Sequence, residues 1–557
     1  MTNIRRPYII IFFLAFALRL IYLNQIVQSP FFNFFIIDEF EYNRWAKEIL
    51  SGKLLWSAIP YHGPLYPYLL AGLYKIFGCD YYIARLFGGV ISSLSCVLMA
   101  HISWKSCGKR AGIIAGVIAA VYWPFIFWSG ELVTETLAIF LNLIVFLLLW
   151  RARSDKRPGV IFLAGLSIGI SAATRPNITA LVPFVLVWIF MISRRKAFLK
   201  NALILISGMA VIIAPIALRH YLISGEFVLL QGHSGLGLFL GLNPHIDTIY
   251  NVRAGLTWDK WMLEPIRANM LSENSLSRYW IQQVILIISQ EPLLFLKHIG
   301  ENILLILSRF EICADKAILY NRNFSPLIFS LPGFWLVGPL GLGGAVLMWK
   351  KRRELALHYI FLAGTFLTLL PFLTSSRHRL FLVALLLIFA AFALDDIWRK
   401  ITSADRKGVF YAVCILLIAC GIVNIDILGV GSKEYSRTHL SLAEVYLKRT
   451  EPQKALSEIK EYIRLYPSDA EGYKALGDIY LNMKDRKRAE SAYRKALKKD
   501  PEYFRAANNI GTMLAMNGDL AGARRYFKRA LVIYPFYDEA ARNLKRCEEM
   551  MGRDLHM

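Results

Sequence analysis

Twelve ionisable side chains in the first four hundred residues carry most of the chemistry this sequence offers: Asp38, Glu39, Glu41, His62, Arg85, Glu131, Arg175, Arg219, His233, Arg377, His378 and Arg379. Most of them stand at the ends of apolar runs. Carboxylates beside several arginines describe a base working next to an anion clamp. An Asp takes a proton from a hydroxyl within hydrogen-bond reach. The planar guanidinium donates two parallel hydrogen bonds, which suits phosphate. The densest stretch is Ile37-Asp38-Glu39-Phe40-Glu41-Tyr42, followed by His62-Gly63-Pro64-Leu65-Tyr66-Pro67. Acids at a membrane boundary are costly unless solvated, paired or working. The plainer reading makes Asp38 and Glu39 capping acids of a helix over 41–50. It makes the arginines headgroup anchors that set topology.

The elements that must gather these residues are membrane spans. Of 557 residues, 56% are hydrophobic and only 19% charged, the composition of a multi-span protein with a smaller soluble part. Runs of about 20 apolar residues, the length a helix needs to cross a bilayer, fall near 7–28, 81–103, 111–128, 132–150, 159–175, 177–193, 200–223, 327–349, 355–374, 378–397 and 408–430, about eleven spans. The first is read as an uncleaved helix rather than a leader, because it is long and lacks a small-residue cleavage signal. Basic turns at Lys105–Arg110, Arg151–Arg157, Arg194–Lys200, Lys350–Arg353 and Arg399–Lys407 all fall on one side if the N-terminus is cytoplasmic. Loops 29–80 and 224–326, and everything after 430, then face outward from a plasma (inner) membrane. The net charge of +24 follows from these turns. No zinc-finger spacing, Walker loop or RNA-binding signature accompanies it, which argues against nucleic acid.

Three segments test that scheme. Residues 280–308 are apolar but broken by Pro292, Lys297, His298, Glu301 and Asn302, so they are expected to lie on the outer leaflet as amphipathic helices. The proline-rich stretch 60–78 is expected to be a membrane-hugging helix packed under the acidic loop. Arg19, inside the first span, is expected to snorkel toward the outer headgroups, with phosphate contact as the second reading.

The tail is different in kind. Ala455, Ala489 and Ala523 are 34 apart, as are Pro467, Pro501 and Pro535. Tyr473, Leu476, Gly477, Tyr480, Ala489, Tyr493, Ala496 and Pro501 follow the tetratricopeptide pattern, and Ile510, Gly511, Leu514, Ala523, Phe527, Ala530 and Pro535 repeat it. Residues 538–549 are expected to form the polar capping helix an array end needs. The fold class is therefore all-α: a polytopic helix bundle over 1–430, then a tetratricopeptide solenoid over 431–557 that binds a protein partner.

An outward Asp38-Glu39 after the first span and a Pro64-Leu65-Tyr66-Pro67 segment resemble the GT-C membrane glycosyltransferases. The closest likeness is to the protein O-mannosyltransferase and lipid A aminoarabinose transferase group (glycosyltransferase family 39-like). Arg85 opening the second span, Leu132-Val133-Thr134-Glu135 and Thr174-Arg175-Pro176 add to the likeness. Gly235-Leu236-Gly237-Leu238-Phe239-Leu240-Gly241-Leu242-Asn243-Pro244 resembles the family's Gly-rich loop ending in Gly-Asn, here interrupted by Leu242. Arg377-His378-Arg379-Leu380 resembles its late Arg-Tyr-Arg-Leu-type motif, with His378 in the aromatic's place. The resemblance covers about residues 7–400. It implies inverting transfer of a sugar from a polyprenyl monophosphate to an acceptor hydroxyl of a protein, lipid or glycan at the outer face. Asp38 would be the base and Glu39 its support. Arg85, Arg377 and Arg175 would hold the donor phosphate. His62, Tyr66, Glu135, Asn243 and Arg379 would complete donor and acceptor binding. Some relatives use a divalent ion; no ligand spacing in this chain demands a metal.

Two other classes stand beside it. An O-antigen ligase or polymerase-like enzyme would work through a long outward loop such as 224–326. A non-catalytic scaffold would merely display the repeats, and Asp38 would then be dispensable.

Overall fold

The computed structural model describes residues 2–54, 59–155, 157–232, 234–246, 255–312, 318–372, 375–430 and 437–554. Its regular elements are helices throughout. The chain divides into two compact units, Met1–Val252 with Ala268–Lys433, and Arg253–Arg267 with Glu434–Met557.

The first unit begins with α1 (Thr2–Ile26), α2 (Ile37–Leu50), α3 (Leu65–Phe77), α4 (Tyr81–Cys107), α5 (Lys109–Val121), α6 (Trp123–Ser129), α7 (Glu135–Ala152), α8 (Pro158–Thr174), α9 (Val182–Ile192), α10 (Phe198–Ser224) and α11 (Ser234–Leu242). After α12 (Leu256–Arg267), which belongs to the second unit, follow α13 (Glu273–Gln290), α14 (Pro292–Leu307), α15 (Pro326–Ser330), α16 (Phe334–Leu347), α17 (Ala356–Leu369), α18 (Leu380–Thr402) and α19 (Arg406–Asn424).

Among the described residues, six helices are long and apolar enough to cross a membrane: α1, α4, α7, α10, α18 and α19. The number reaches eight if the bent pairs α5–α6 and α13–α14 each count as one span. The expectation of about eleven exceeds this, because α8, α9, α16 and α17 coincide with expected spans but are short. Fourteen residues, the length of α16 and of α17, rise about 21 Å, against about 30 Å of hydrocarbon. The segment expected to lie flat, 280–308, is the pair α13–α14, bent by 111°. Pro292 opens α14 at that bend.

The helices share one basic end. Arg153 donates to the Glu354 carbonyl at 2.9 Å, Arg399 to the Cys107 carbonyl at 3.2 Å, and Arg110 lies 3.9 Å from Asp395. At the opposite end α3 packs against α2: Tyr66, Leu70, Ala71 and Tyr74 meet Tyr42, Ala46 and Ile49 in one cluster. Ile76 and Phe77 at its far end stay exposed. This is the expected helix beneath the acidic loop.

Arg19 departs from expectation. It does not snorkel; it is 3% exposed, inside the bundle. Proline lacks an N–H, so Pro124 leaves the Ala120 carbonyl without its helical donor where α5 breaks from α6 by 56°. Arg19 supplies one, donating to Ala120 at 3.1 Å while its Nε reaches Ser92 at 2.8 Å. A buried carbonyl without a partner costs about 1–3 kcal/mol, so the guanidinium stabilises the break.

In the second unit, α20 (Arg437–Lys448) pairs with α21 (Pro452–Leu465), α22 (Ala470–Asn482) with α23 (Arg486–Lys499), and α24 (Phe504–Met516) with α25 (Leu520–Ile533). Asp485 and Asp519, one repeat apart, accept from the backbone of Arg488 and Gly522 and start α23 and α25 alike. The expected cap is α26 (Asp538–Asp554), whose Cys547 packs with Ala523 and Phe527. The segment α12, expected in the outward loop of the first domain, belongs here. Arg505 Nε and Nη2 hold the two Asp259 oxygens at 2.9 and 3.1 Å, and Lys260 lies 2.6 Å from Asp500.

Candidate active site

At the end of the bundle opposite the basic turns, five side chains from five separate stretches form one chain of charges. His62 Nε2 lies 3.3 Å from Asp38 Oδ1, and Arg377 Nη1 donates to Asp38 Oδ2 at 2.6 Å. Arg377 Nε lies 3.6 Å from Glu135 Oε1, which accepts from Arg175 Nη1 at 2.6 Å. Two carboxylates thus balance two guanidiniums. Glu135 is 3% exposed, whereas the Arg175 and His62 side chains keep 20% and 21%, so a ligand meets those two first.

Each partner is placed by its element. Asp38 stands in the first turn of α2 after Ile37, whose φ of +51° is unfavourable for a β-branched residue. Such backbone strain costs about 1–3 kcal/mol and persists where the surroundings enforce it. Here the enforcing contacts are those of the two acids that follow, both buried. The N-cap of α2 is Ile36, which offers no side-chain cap, and Asp38 and Glu39 are the acids of its first turn. Glu39 Oε1 accepts from Leu132 N–H at 2.9 Å and secures the turn before α7. Glu135 opens α7, and Arg175 ends α8. His62 is set by Gly63. A Cβ there would stand 2.4 and 2.7 Å from the carbonyl oxygens of Ala173 and Thr174, so only glycine allows this approach to the end of α8. Arg377 precedes α18.

Burial by itself would raise the Asp38 carboxyl. Arg377 and His62 outweigh it and hold the group well below the usual carboxylate range. Asp38 therefore stays ionised and, while Arg377 grips it, is a weak base.

The remaining expected site residues are elsewhere or differently employed. Tyr66 packs edge-on against Tyr42, and the Tyr42 ring lies 5.1 Å from His62, beside the charge chain. Arg85 is buried: its Nε donates to the Gly130 carbonyl at 2.8 Å, and its guanidinium covers the Phe32 ring at 4.3 Å. Arg379 turns away from Arg377, donating to the Ser308 and Phe310 carbonyls and meeting Glu311 at 3.0 Å. Asn243 accepts from the backbone of His245 at 2.9 Å, a local turn after α11. The stretch read as a Gly-rich loop is that helix. His233 lies outside the described residues. Among those described, no group of three or more His, Cys, Asp or Glu side chains could hold a metal ion.

Tyr42 was not among the expected site residues. Burial first, then Asp38 and Glu135, push its phenol well above the ordinary value, so it remains a hydrogen-bond donor. Its i, i+4 spacing from Asp38 puts both on one face of α2, a signal present in the sequence.

Residues 61–220 match the family described as dolichyl-phosphate-mannose-protein mannosyltransferase, and residues 474–538 match the tetratricopeptide repeat. The chain thus joins a membrane glycosyltransferase domain, like those mannosyltransferases, to C-terminal tetratricopeptide repeats. No curated protein matches it. Similar solved structures cover the repeats. They include the Arabidopsis OM64 TPR domain (23% identity, 21% of this chain and 95% of that one, TM-score 0.20). The Sgt2 TPR domain from Aspergillus fumigatus (16%, 22% and 84%, 0.22) and MamA (21%, 29% and 81%, 0.20) are others.

Proposed function

We propose that this protein transfers a sugar from a polyprenyl-monophosphate carrier to an acceptor hydroxyl at the membrane face bearing Asp38. The observation carrying this reading is the run His62–Asp38–Arg377–Glu135–Arg175, a carboxylate with one exposed flank and a double guanidinium clamp. The acceptor hydroxyl gives its proton to Asp38 as its oxygen attacks the anomeric carbon. The carbon–phosphate oxygen bond breaks, its electron pair goes to the phosphate, and polyprenyl phosphate departs. Arg175 and Arg377 offset the charge that grows on the leaving group. Donor binding also activates the base: a phosphate beside Arg377 competes for the guanidinium that depresses Asp38, so basicity rises when substrate is present. Glu135 keeps both arginines pointed at the same place. Arg85, Glu39 and Arg379 act as positioning residues, through the Gly130, Leu132 and Ser308–Phe310 backbone.

In this reading the site faces outward, the basic turns are cytoplasmic and the repeats are extracytoplasmic, with about eleven crossings. The position of α12 supports the scheme. It packs with the repeats, so both occupy one side of the membrane. The crossings between them must be even, which α18 and α19 supply by themselves and still supply with the shorter α16 and α17 added as a second pair, leaving α13–α14 as a pair that enters without crossing.

The test is purified protein with a panel of polyprenyl-phosphate sugars, mannose included, and a cell-envelope extract as acceptor. Donor-dependent release of polyprenyl phosphate should fall about 10²–10⁴-fold in Asp38→Asn, the usual worth of a positioned base. Equal activity in the variant would remove Asp38 from the chemistry.

A further inference from the structure

The repeats form a surface whose purpose the transferase reading leaves open, and one helix already sits on it. The contacts are ordered along α12. Gly255, at φ +143°, lies so close to Glu471 of α22 that an added Cβ would stand 2.3 Å from a carboxylate oxygen. Asp259 is clasped bidentately by Arg505 of α24. Lys260 meets Asp500, and at the far end Arg267 reaches Glu502 at 3.3 Å. Leu263 between them is 3% exposed. The ion-pairing charges of α12, acidic Asp259 and then basic Lys260 and Arg267, answer basic Arg505 and acidic Asp500 and Glu502 in turn. An arginine fork on a half-buried carboxylate is among the stronger ion pairs, and the Asp259 side chain is only 16% exposed.

We infer that the resident ligand of the tetratricopeptide surface is the chain's own helix α12, latched through Asp259 on Arg505 and Lys260 on Asp500. A tethered helix faces the surface at an effective concentration of the order of millimolar. An external protein partner therefore needs a helix with the same Asp-Lys pattern, and enters by displacing α12. The repeats then act as a latch on the segment between α11 and α13, released by such a competitor.

The experiment uses the full chain in lipid nanodiscs and amide hydrogen exchange over residues 255–267. Asp259→Arg and Arg505→Asp should each speed exchange there by about tenfold or more. The double exchange of charges should return it to within about threefold of the unmodified chain. Exchange in α22 and α24 should stay slow throughout, which separates latch opening from unfolding. A labelled peptide of residues 255–267 is the second probe. It should bind the Asp259→Arg chain about tenfold or more tightly than the unmodified chain, because only there is the surface vacated. Unchanged exchange in both single variants, or equal peptide binding by both chains, would overturn the inference.

Discussion

Asp38 and Arg377 illustrate how one contact sets both resting state and readiness. A carboxylate held below its ordinary value stabilises the fold above that value, and the contribution is lost as the pH falls through the lowered one. The pair is thus intact at neutral pH and fails only in strong acid. In Arg377→Gln the burial that raises Asp38 is opposed by His62 alone, so the carboxyl climbs. The acid limb of kcat/KM should move to higher pH than in the unmodified enzyme. An acid limb that stays put would show that Asp38 does not govern it. Glu135→Gln probes the other carboxylate: both arginines lose their shared anchor, and KM for the lipid donor should rise by about tenfold, measured by initial rates over donor concentration.

At the scale of the elements, the site depends on helix ends rather than helix interiors. Gly63→Ala drives a Cβ into the carbonyls that end α8, so the loop carrying His62 must shift. Activity should drop by about tenfold or more with little change in secondary structure, since misplacement by about 1 Å is enough for a larger loss. Arg19 belongs to the same scale. Arg19→Ala leaves the Ala120 carbonyl at the α5–α6 break without that donor and should cost about 2–3 kcal/mol in a detergent melt. Arg19→Lys should recover little, because an ammonium does not reproduce the fork that spans Ser92 and Ala120.

For the whole molecule, the repeat unit contains its own titrating group. Burial pushes the Glu471 carboxyl up to about 7, against the pull of Arg437 and Lys474 and with help from Asp469 and Glu444. A carboxyl raised in the folded state binds protons more tightly there than when unfolded. Stability of this unit should therefore fall as the pH rises from the ordinary value of 4.5 toward 7. Hydrogen exchange of α22 at pH 5.5 and 7.5 checks this. Glu471→Gln should flatten the difference, and a wild-type profile already flat would refute it.

Periodicity and charge carried the sequence a long way. The 34-residue register of Ala455, Ala489 and Ala523 marks the repeats because only that spacing returns a small residue to every helix crossing. Basic turns between apolar runs sort the two ends of the bundle, because charges avoid hydrocarbon wherever the chain turns. Asp38, His62, Arg175 and Arg377 could be picked out as residues at span ends on one side, and Glu135 through the resemblance carried by Leu132-Val133-Thr134-Glu135. Their order of contact could not, since a residue 339 positions away in sequence, Arg377, becomes the nearest cation to Asp38 only through packing. Arg85 and Arg379, at span ends, and Arg19, inside a span, show the reverse: the same residue type is drawn to backbone carbonyls at helix ends and breaks, and which arginine reaches which carbonyl is set by packing. The place of α12 is likewise tertiary. Its charges are ordinary in sequence, and only the facing Arg505 and Asp500 make them a pattern, because electrostatic complementarity is a property of two surfaces and not of one.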